Sequence, residues 1–208
     1  PDANTFDISP DGRHIVFAFD PQPEKRIENR KALVELHVST VKFAALTADA
    51  DWDFDAPRYS PDGSHIALIA AHTGKKHTMP GHAAVLKRGG RWQLLSDTWD
   101  HAVDAPLRWA DDACALYFAA EDRGRRNLYR YAIASRTASV AVQGGWVQGF
   151  DVAGGVIASA ADSLMHPVRV HAMRDAQAPL RIEAFNDALL ATLRLGACEE
   201  VTVKGALN

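Results

Sequence analysis

The chain has 208 residues, is 47% hydrophobic and 24% charged, and carries a formal net charge of −3. That balance is ordinary for a globular protein and gives no electrostatic case for nucleic acid. No apolar run approaches the roughly 18 residues that a membrane-crossing helix needs.

The first recognisable element reads Phe6-Asp-Ile-Ser-Pro-Asp-Gly-Arg-His-Ile-Val-Phe17. Pro10 presets φ for a turn, Asp11 can bond the backbone amides just ahead, and Gly12 supplies the positive φ that closes it. The spacing predicts a tight β-hairpin, followed by strands over Ala32–Val38 and Lys42–Leu46. The pattern returns as Pro57-Arg-Tyr-Ser-Pro-Asp-Gly-Ser-His-Ile-Ala-Leu68, with Ser60 standing 51 positions after Ser9. Strands over Ala83–Lys87 and Trp92–Leu95 follow it. A degraded third copy, Pro106–Phe118, aligns Ala110 with Ser60 and leads into strands at Asn127–Ile133 and Ser139–Val142. A fourth, Gly149–Ser159, aligns Ala153 and is followed by one clear strand, Val168–Ala172. Ile8, Tyr59, Trp109 and Val152 occupy equivalent places, which puts them on one strand face between adjacent units. Four strands per unit at this period predict an all-β fold, a β-propeller. The expected blades cover about 1–50, 51–100, 101–145 and 146–185.

These residues carry a resemblance. The Ser-Pro-Asp-Gly hairpins at blade spacing resemble the propellers of the prolyl oligopeptidase family and of TolB. Trp99-Asp-His101, Ala105-Pro-Leu-Arg-Trp-Ala-Asp-Asp112, Leu116–Gly124 and Asn127-Leu-Tyr-Arg130 are similar to blades of bacterial dipeptidyl and acylaminoacyl peptidases. Ser163-Leu-Met-His-Pro167, Phe185–Leu190 and Glu199-Glu-Val-Thr-Val-Lys-Gly205 look like the exit from a last blade into an α/β-hydrolase domain. The resemblance implies about four blades of a larger propeller, with residues 186–208 as a linker toward that catalytic domain. It implies the non-catalytic lid, size filter and substrate-positioning portion of a serine peptidase acting on short peptides. The alternative is a TolB-like propeller that binds a protein partner. The implied partners are the remaining blades and hydrolase domain of the same protein and short peptide substrates; a homo-oligomer is a further expectation. No G-x-S-x-G nucleophile elbow occurs in the chain, so no catalytic residue is assigned. No substrate-binding residue, metal ligand or cofactor is assigned either, and cytoplasm and periplasm both stay open.

Several other groups invite a reading. Cys114 lies in an apolar run and reads as a small buried side chain; Cys198 has no C-x-x-C partner. Asp49, Asp51, Asp53 and Asp55 alternate like the start of a calcium loop, but Gly and Glu are missing at its sixth and twelfth places. A solvated linker between blades is the expectation. His72, His77 and His82 recur every five residues; beside Lys75 and Lys76 they read as a polar surface loop rather than a zinc site. Lys25-Arg26, Arg30-Lys31 and Arg123-Gly-Arg-Arg126 read as solvated loops, with contact to substrate or to the catalytic domain as the sharper alternative. Glu121 and Asp122 are carboxylates of the kind that could hold a substrate's amine; neither is matched to such a position.

Overall fold

The computed structural model describes residues 5–20, 30–47, 49–73, 79–174 and 177–205. Lys25, Arg26 and His77 lie outside the described residues.

The chain is an all-β run of propeller blades. The first sheet holds β1 (Phe6–Ile8), β2 (His14–Phe19), β3 (Ala32–His37) and β4 (Lys42–Ala45) in sequence order. The second holds β5 (Trp52–Tyr59), β6 (His65–His72), β7 (His82–Lys87) and β8 (Trp92–Leu94). The third blade is β9 (Asp104–Trp109), β10 (Ala115–Asp122), β11 (Arg125–Ala132) and β12 (Thr137–Val142). The fourth is β13 (Trp146–Ala153), β14 (Val156–Ser163), β15 (His166–Arg174) and β16 (Leu180–Arg181), and a short helix, α1, follows at Asp187–Leu190. All pairings within a blade are antiparallel.

The third and fourth blades were expected as separate sheets; a single parallel bridge, Arg126 to Trp146, joins them into one eight-stranded path. The cause is the Gly144–Gly145 link. Gly145, at φ +156°, offers its carbonyl to the Arg126 amide at 3.1 Å and lays the start of β13 beside β11, past the end of β12. The sequence also hid β16, whose two residues carry too little periodicity to announce a strand.

The hairpins obey the turn chemistry. In the second, Ser60 Oγ donates to Asp62 Oδ1 at 2.5 Å and accepts the His65 amide at 2.9 Å, while Asp62 accepts the Ser64 amide at 3.0 Å. The first repeats this with Ser9, Asp11, Arg13 and His14. Gly12 and Gly63 both sit at φ +69°. In the third copy the glycine place falls to Ala113, which still adopts φ +56°. The left-handed region costs a Cβ-bearing residue about 1–2 kcal/mol, offset by the extra chain entropy of glycine. Ala113→Gly is therefore expected to stabilise by roughly 0.5–1 kcal/mol, and Gly63→Ala to destabilise by a similar amount. Urea midpoints moving the other way would refute the turn assignment.

The hydroxyl of Ser60, then the Ser64 amide and hydroxyl, hold Asp62 down at a pKa of about 2. A depressed carboxylate stabilises the fold above its unfolded value near 3.8 and loses that contribution as pH falls toward 2. Asp62→Asn should therefore flatten the acid limb of the stability profile between about pH 4 and 2, as read by melting temperature against pH.

The core lies between blades. At the first two seams a blade presses large side chains of its leading face onto small or medium ones of the blade before it, and at the third medium side chains meet Tyr117. Tyr59, Ile66, Leu68 and Leu86 pack on Val16 and Leu33; Trp109, Leu116, Phe118, Tyr129 and Tyr131 pack on Ala67, Ala83 and Val85. Ile157, Val152 and Met173 pack on Tyr117, Ala119 and Leu128. Of the four equivalent positions expected at these seams, Tyr59 and Trp109 are 6% and 8% exposed and Val152 is half-buried, but Ile8 is 54% exposed. No described blade precedes the first one to cover it.

Candidate functional site

The innermost strands β1, β5, β9 and β13 contact one another in turn, so their facing residues line the axial side of the array. One place on these strands carries a charge in every blade: Asp7, Arg58, Arg108 and Asp151, each directly ahead of the seam residue. Asp7 Oδ2 accepts the Tyr59 amide at 2.8 Å, and Arg58 Nη1 donates to the Phe6 carbonyl at 2.7 Å. Arg108 Nε donates to Asp151 Oδ1 at 2.7 Å, and Trp109 Nε1 donates to the Arg58 carbonyl at 2.9 Å. Burial pushes the Arg58 guanidinium below its ordinary pKa; Asp7 opposes this and Arg108 adds to it. These charges stitch the inner strands together around an open axial cleft of about 430 Å³, walled by Phe6, Arg58, Trp109 and Val152. The sequence reading passed over this column. Its signal was the recurrence of a charge one residue before the seam position.

The links between blades gather at the end opposite the Ser-Pro-Asp-Gly turns. There Trp99 packs against Phe118 and Tyr129, with ring centroids 5.4 and 4.9 Å apart, and His101 Nδ1 lies 3.0 Å from the Glu121 carbonyl. Glu121 and Asp122 end β10, facing Arg126 and Arg125 across the hairpin. Arg126 pairs with Asp104 at 2.7 Å and also donates to the Val147 carbonyl; Arg125 pairs with Glu200 of the tail at 2.9 Å; Arg123 stays exposed. A cleft of about 600 Å³ runs between this hairpin, Trp146, Met165 and the tail at Cys198–Glu200. Arg123 also lies 3.8 Å from its neighbour Asp122, so all three arginines of the basic cluster have a carboxylate partner; Arg123 and Arg125 stay exposed, as a solvated loop would have them, and Arg126 is half-buried.

Other sequence expectations are corrected. Cys114 is exposed, because it takes the Ser64 place of the third turn and its amide donates to Asp112 at 2.9 Å. Cys198 is exposed as well. Asp53 and Asp55 are not solvated linker residues. They lie on β5 and clamp Lys31, whose amide reaches Asp53 at 2.5 Å and whose ammonium pairs with Asp55. Burial raises the Asp53 pKa, against the pull of Lys31. Asp49 and Asp51 stay in the linker, bonded to each other. Arg30 reaches the Ala50 and Thr73 carbonyls, fastening the same linker. His82 is buried on β7 with Nδ1 3.1 Å from the Ser96 carbonyl, while His72 meets the Trp52 ring edge at 5.0 Å. Among the described residues no three His, Cys, Asp or Glu side chains gather as a metal site, and no helix is long and apolar enough to cross a membrane.

No protein-family model matches the chain, and no curated protein sequence matches it. Its fold is shared with solved propellers. TolB from Acinetobacter baumannii superposes with a TM-score of 0.65 at 17% identity, over 85% of this chain and 42% of that one. Uncomplexed Pyrococcus horikoshii acylaminoacyl peptidase gives 0.72 at 16% identity, over 93% and 29%. The β-propeller domain of the Trilobed protease from Pyrococcus furiosus gives 0.69 at 17% identity, over 88% and 52%. The chain therefore spans about half, or less, of the length of these three proteins, and what it shares with them is the propeller fold.

Proposed function

We propose that this chain is the non-catalytic propeller portion of a serine peptidase of the prolyl oligopeptidase type, acting on short peptides. Its remaining blades and an α/β-hydrolase domain would be its partners, and the propeller would serve as lid, size filter and positioning surface. The observation that carries this reading is the path of the tail. After β16 the chain leaves the fourth blade at the end where the inter-blade links gather and forms α1. It then reaches back across the third blade, where Glu200 pairs with Arg125. Residues 186–208 are then the linker to the hydrolase, and the axial cleft and the link-bearing end would face the catalytic centre. Dipeptidyl and acylaminoacyl activities are the two substrate classes of this reading.

The chain holds no nucleophile elbow, so the 208-residue protein is expected to give no labelling by a fluorophosphonate serine probe. The longer polypeptide of this reading should label stoichiometrically and release amine from acyl- or dipeptidyl-aminoacyl substrates. A longer polypeptide that neither labels nor hydrolyses such substrates would overturn the reading. The likeness to TolB supports a second reading, a protein-binding propeller; that protein would retain a stable partner and lack all esterase activity.

A further inference from the structure

The seam between the third and fourth blades is filled less completely than the one before it. In the register, Trp109, Leu116 and Tyr131 form one row across the front of the third blade. Val152, Ile157 and Met173 form the equivalent row across the front of the fourth. Two large rings thus give way to a valine and a methionine, and the blades part there. The space between them is a cleft of about 740 Å³ at the turn end of the seam, with Val152, Ile157 and Met173 as its apolar wall. Small-ligand sites occupy roughly 300–1,000 Å³. Both walls are consecutive blades of this chain, already packed together through Ile157 and Tyr117.

The opposite wall is polar. Arg108, Tyr117, Arg130 and Ser139 form one row across the rear of the third blade, and the last three line the cleft. Tyr117 is 9% exposed, yet among the described residues its hydroxyl has no hydrogen-bond partner. Arg130 is half-buried, and among the same residues its guanidinium has neither a hydrogen bond nor an ion pair. The first blade shows what this position can receive. There Glu35 stands where Arg130 stands in the third, and the second blade supplies it with the Tyr59 hydroxyl at 2.7 Å and with Arg88 at 3.0 Å. The fourth blade sets an apolar row against Arg130 instead. Donors facing such a wall are costly unless something else accepts them. At the inner rim the third turn brings Asp111 and Asp112 to the same cleft. Asp111 Oδ2 accepts the Gly155 amide at 2.7 Å and Asp112 Oδ1 the Cys114 amide at 2.9 Å, so each carboxylate has a second oxygen to offer.

We propose that this cleft binds a short apolar peptide with free termini. The peptide's carboxylate takes the Arg130 guanidinium and the Tyr117 hydroxyl, beside Ser139, whose own hydroxyl reaches the Arg130 carbonyl at 3.3 Å. Its ammonium group takes the second oxygens of Asp111 and Asp112, and its side chains cover Val152, Ile157 and Met173. A charge-assisted pair at each end fixes the direction of the peptide, and the apolar wall supplies the burial. The order of charges favours this class over simpler ones: a lone anion would meet Asp111 and Asp112, and a lone cation would meet Arg130. The cleft lies at the turn end, away from the inter-blade links and the tail, so its ligand does not depend on the peptidase reading above.

Isothermal titration of the 208-residue protein with trileucine should give saturable binding of one peptide per chain. Amidating the C-terminus or acetylating the N-terminus should each weaken it about tenfold or more. Arg130→Gln should weaken free trileucine by the same factor and leave the amidated peptide unchanged, because the partner it removes is already missing there. Tyr117→Phe, which removes only the hydroxyl, should cost a few-fold. Met173→Trp restores the bulk of the preceding seam and should abolish binding; circular dichroism checks that it is folded, and Arg130→Gln carries the test if it is not. The serine probe reads the peptidase assignment separately, since it is applied to the longer polypeptide and needs no ligand in this cleft. Trileucine that fails to saturate the protein at millimolar concentration would overturn the proposal. Equal affinity for the free and amidated peptides, or undiminished binding by Arg130→Gln, would overturn it as well.

Discussion

Replacing Phe118 by alanine is expected to lower the stability of the protein by about 3–5 kcal/mol. Its ring is fully buried at the seam between the second and third sheets, tilted against Tyr131 at 6.0 Å and Trp99 at 5.4 Å. The neighbours cannot collapse into the gap. Tyr131 is tethered by its hydroxyl to the Leu95 carbonyl, and Trp109 by its indole to the Arg58 carbonyl. The cavity term therefore adds to the lost transfer energy. Phe43→Ala removes a similar ring from an exposed site and should cost well under 1 kcal/mol in the monomer. Equal shifts in urea midpoint for the two variants would show that the second seam is not a packed core.

Gly145→Ala should be nearly as damaging. A Cβ at this position would lie 2.2 Å from the Asp162 carbonyl oxygen, a backbone atom that cannot swing aside, at φ +156°. Strain and overpacking together are expected to cost roughly 3 kcal/mol. The damage should concentrate on the fourth blade, since Gly145 brings β13 alongside β11. Gly149→Ala, where nothing lies within 4 Å of the added carbon, is the control and should change little. Hydrogen exchange that speeds up over β13–β15 in the first variant alone would support this assignment; equal melting temperatures would refute it.

The fold was legible because its signals are local. Ser9-Pro-Asp-Gly12 and Ser60-Pro-Asp-Gly63 name their own turn, and the apolar runs Ile15–Phe17 and Ile66–Ile69 name the strand behind it. What escaped depends on where strands end up beside one another. Cys114 looks buried in a run of apolar letters, yet it inherits an exposed turn place. Asp53 and Asp55 look solvated, yet Lys31, far off in sequence, comes to lie on them. His82 looks like part of a loop until Ser96 arrives to meet it. The axial column of charge is legible only after the blades are aligned, when Asp7, Arg58, Arg108 and Asp151 fall into one row. No single window of sequence contains it.

The asymmetry of the seams has a further meaning. Because the second sheet is broad-shouldered in front and slight behind, its place in the array is directional, and inserted backwards it would set bulk against bulk. A sheet inserted the right way round would find its match on both sides. The second sheet, residues 52–94, is therefore a cassette. Its duplication, carried with the link at 95–103, should lengthen the array by one step and leave every existing neighbour satisfied. Arrays of this build can grow or shrink by whole modules while their interiors stay filled, a latitude that a single undivided core does not have.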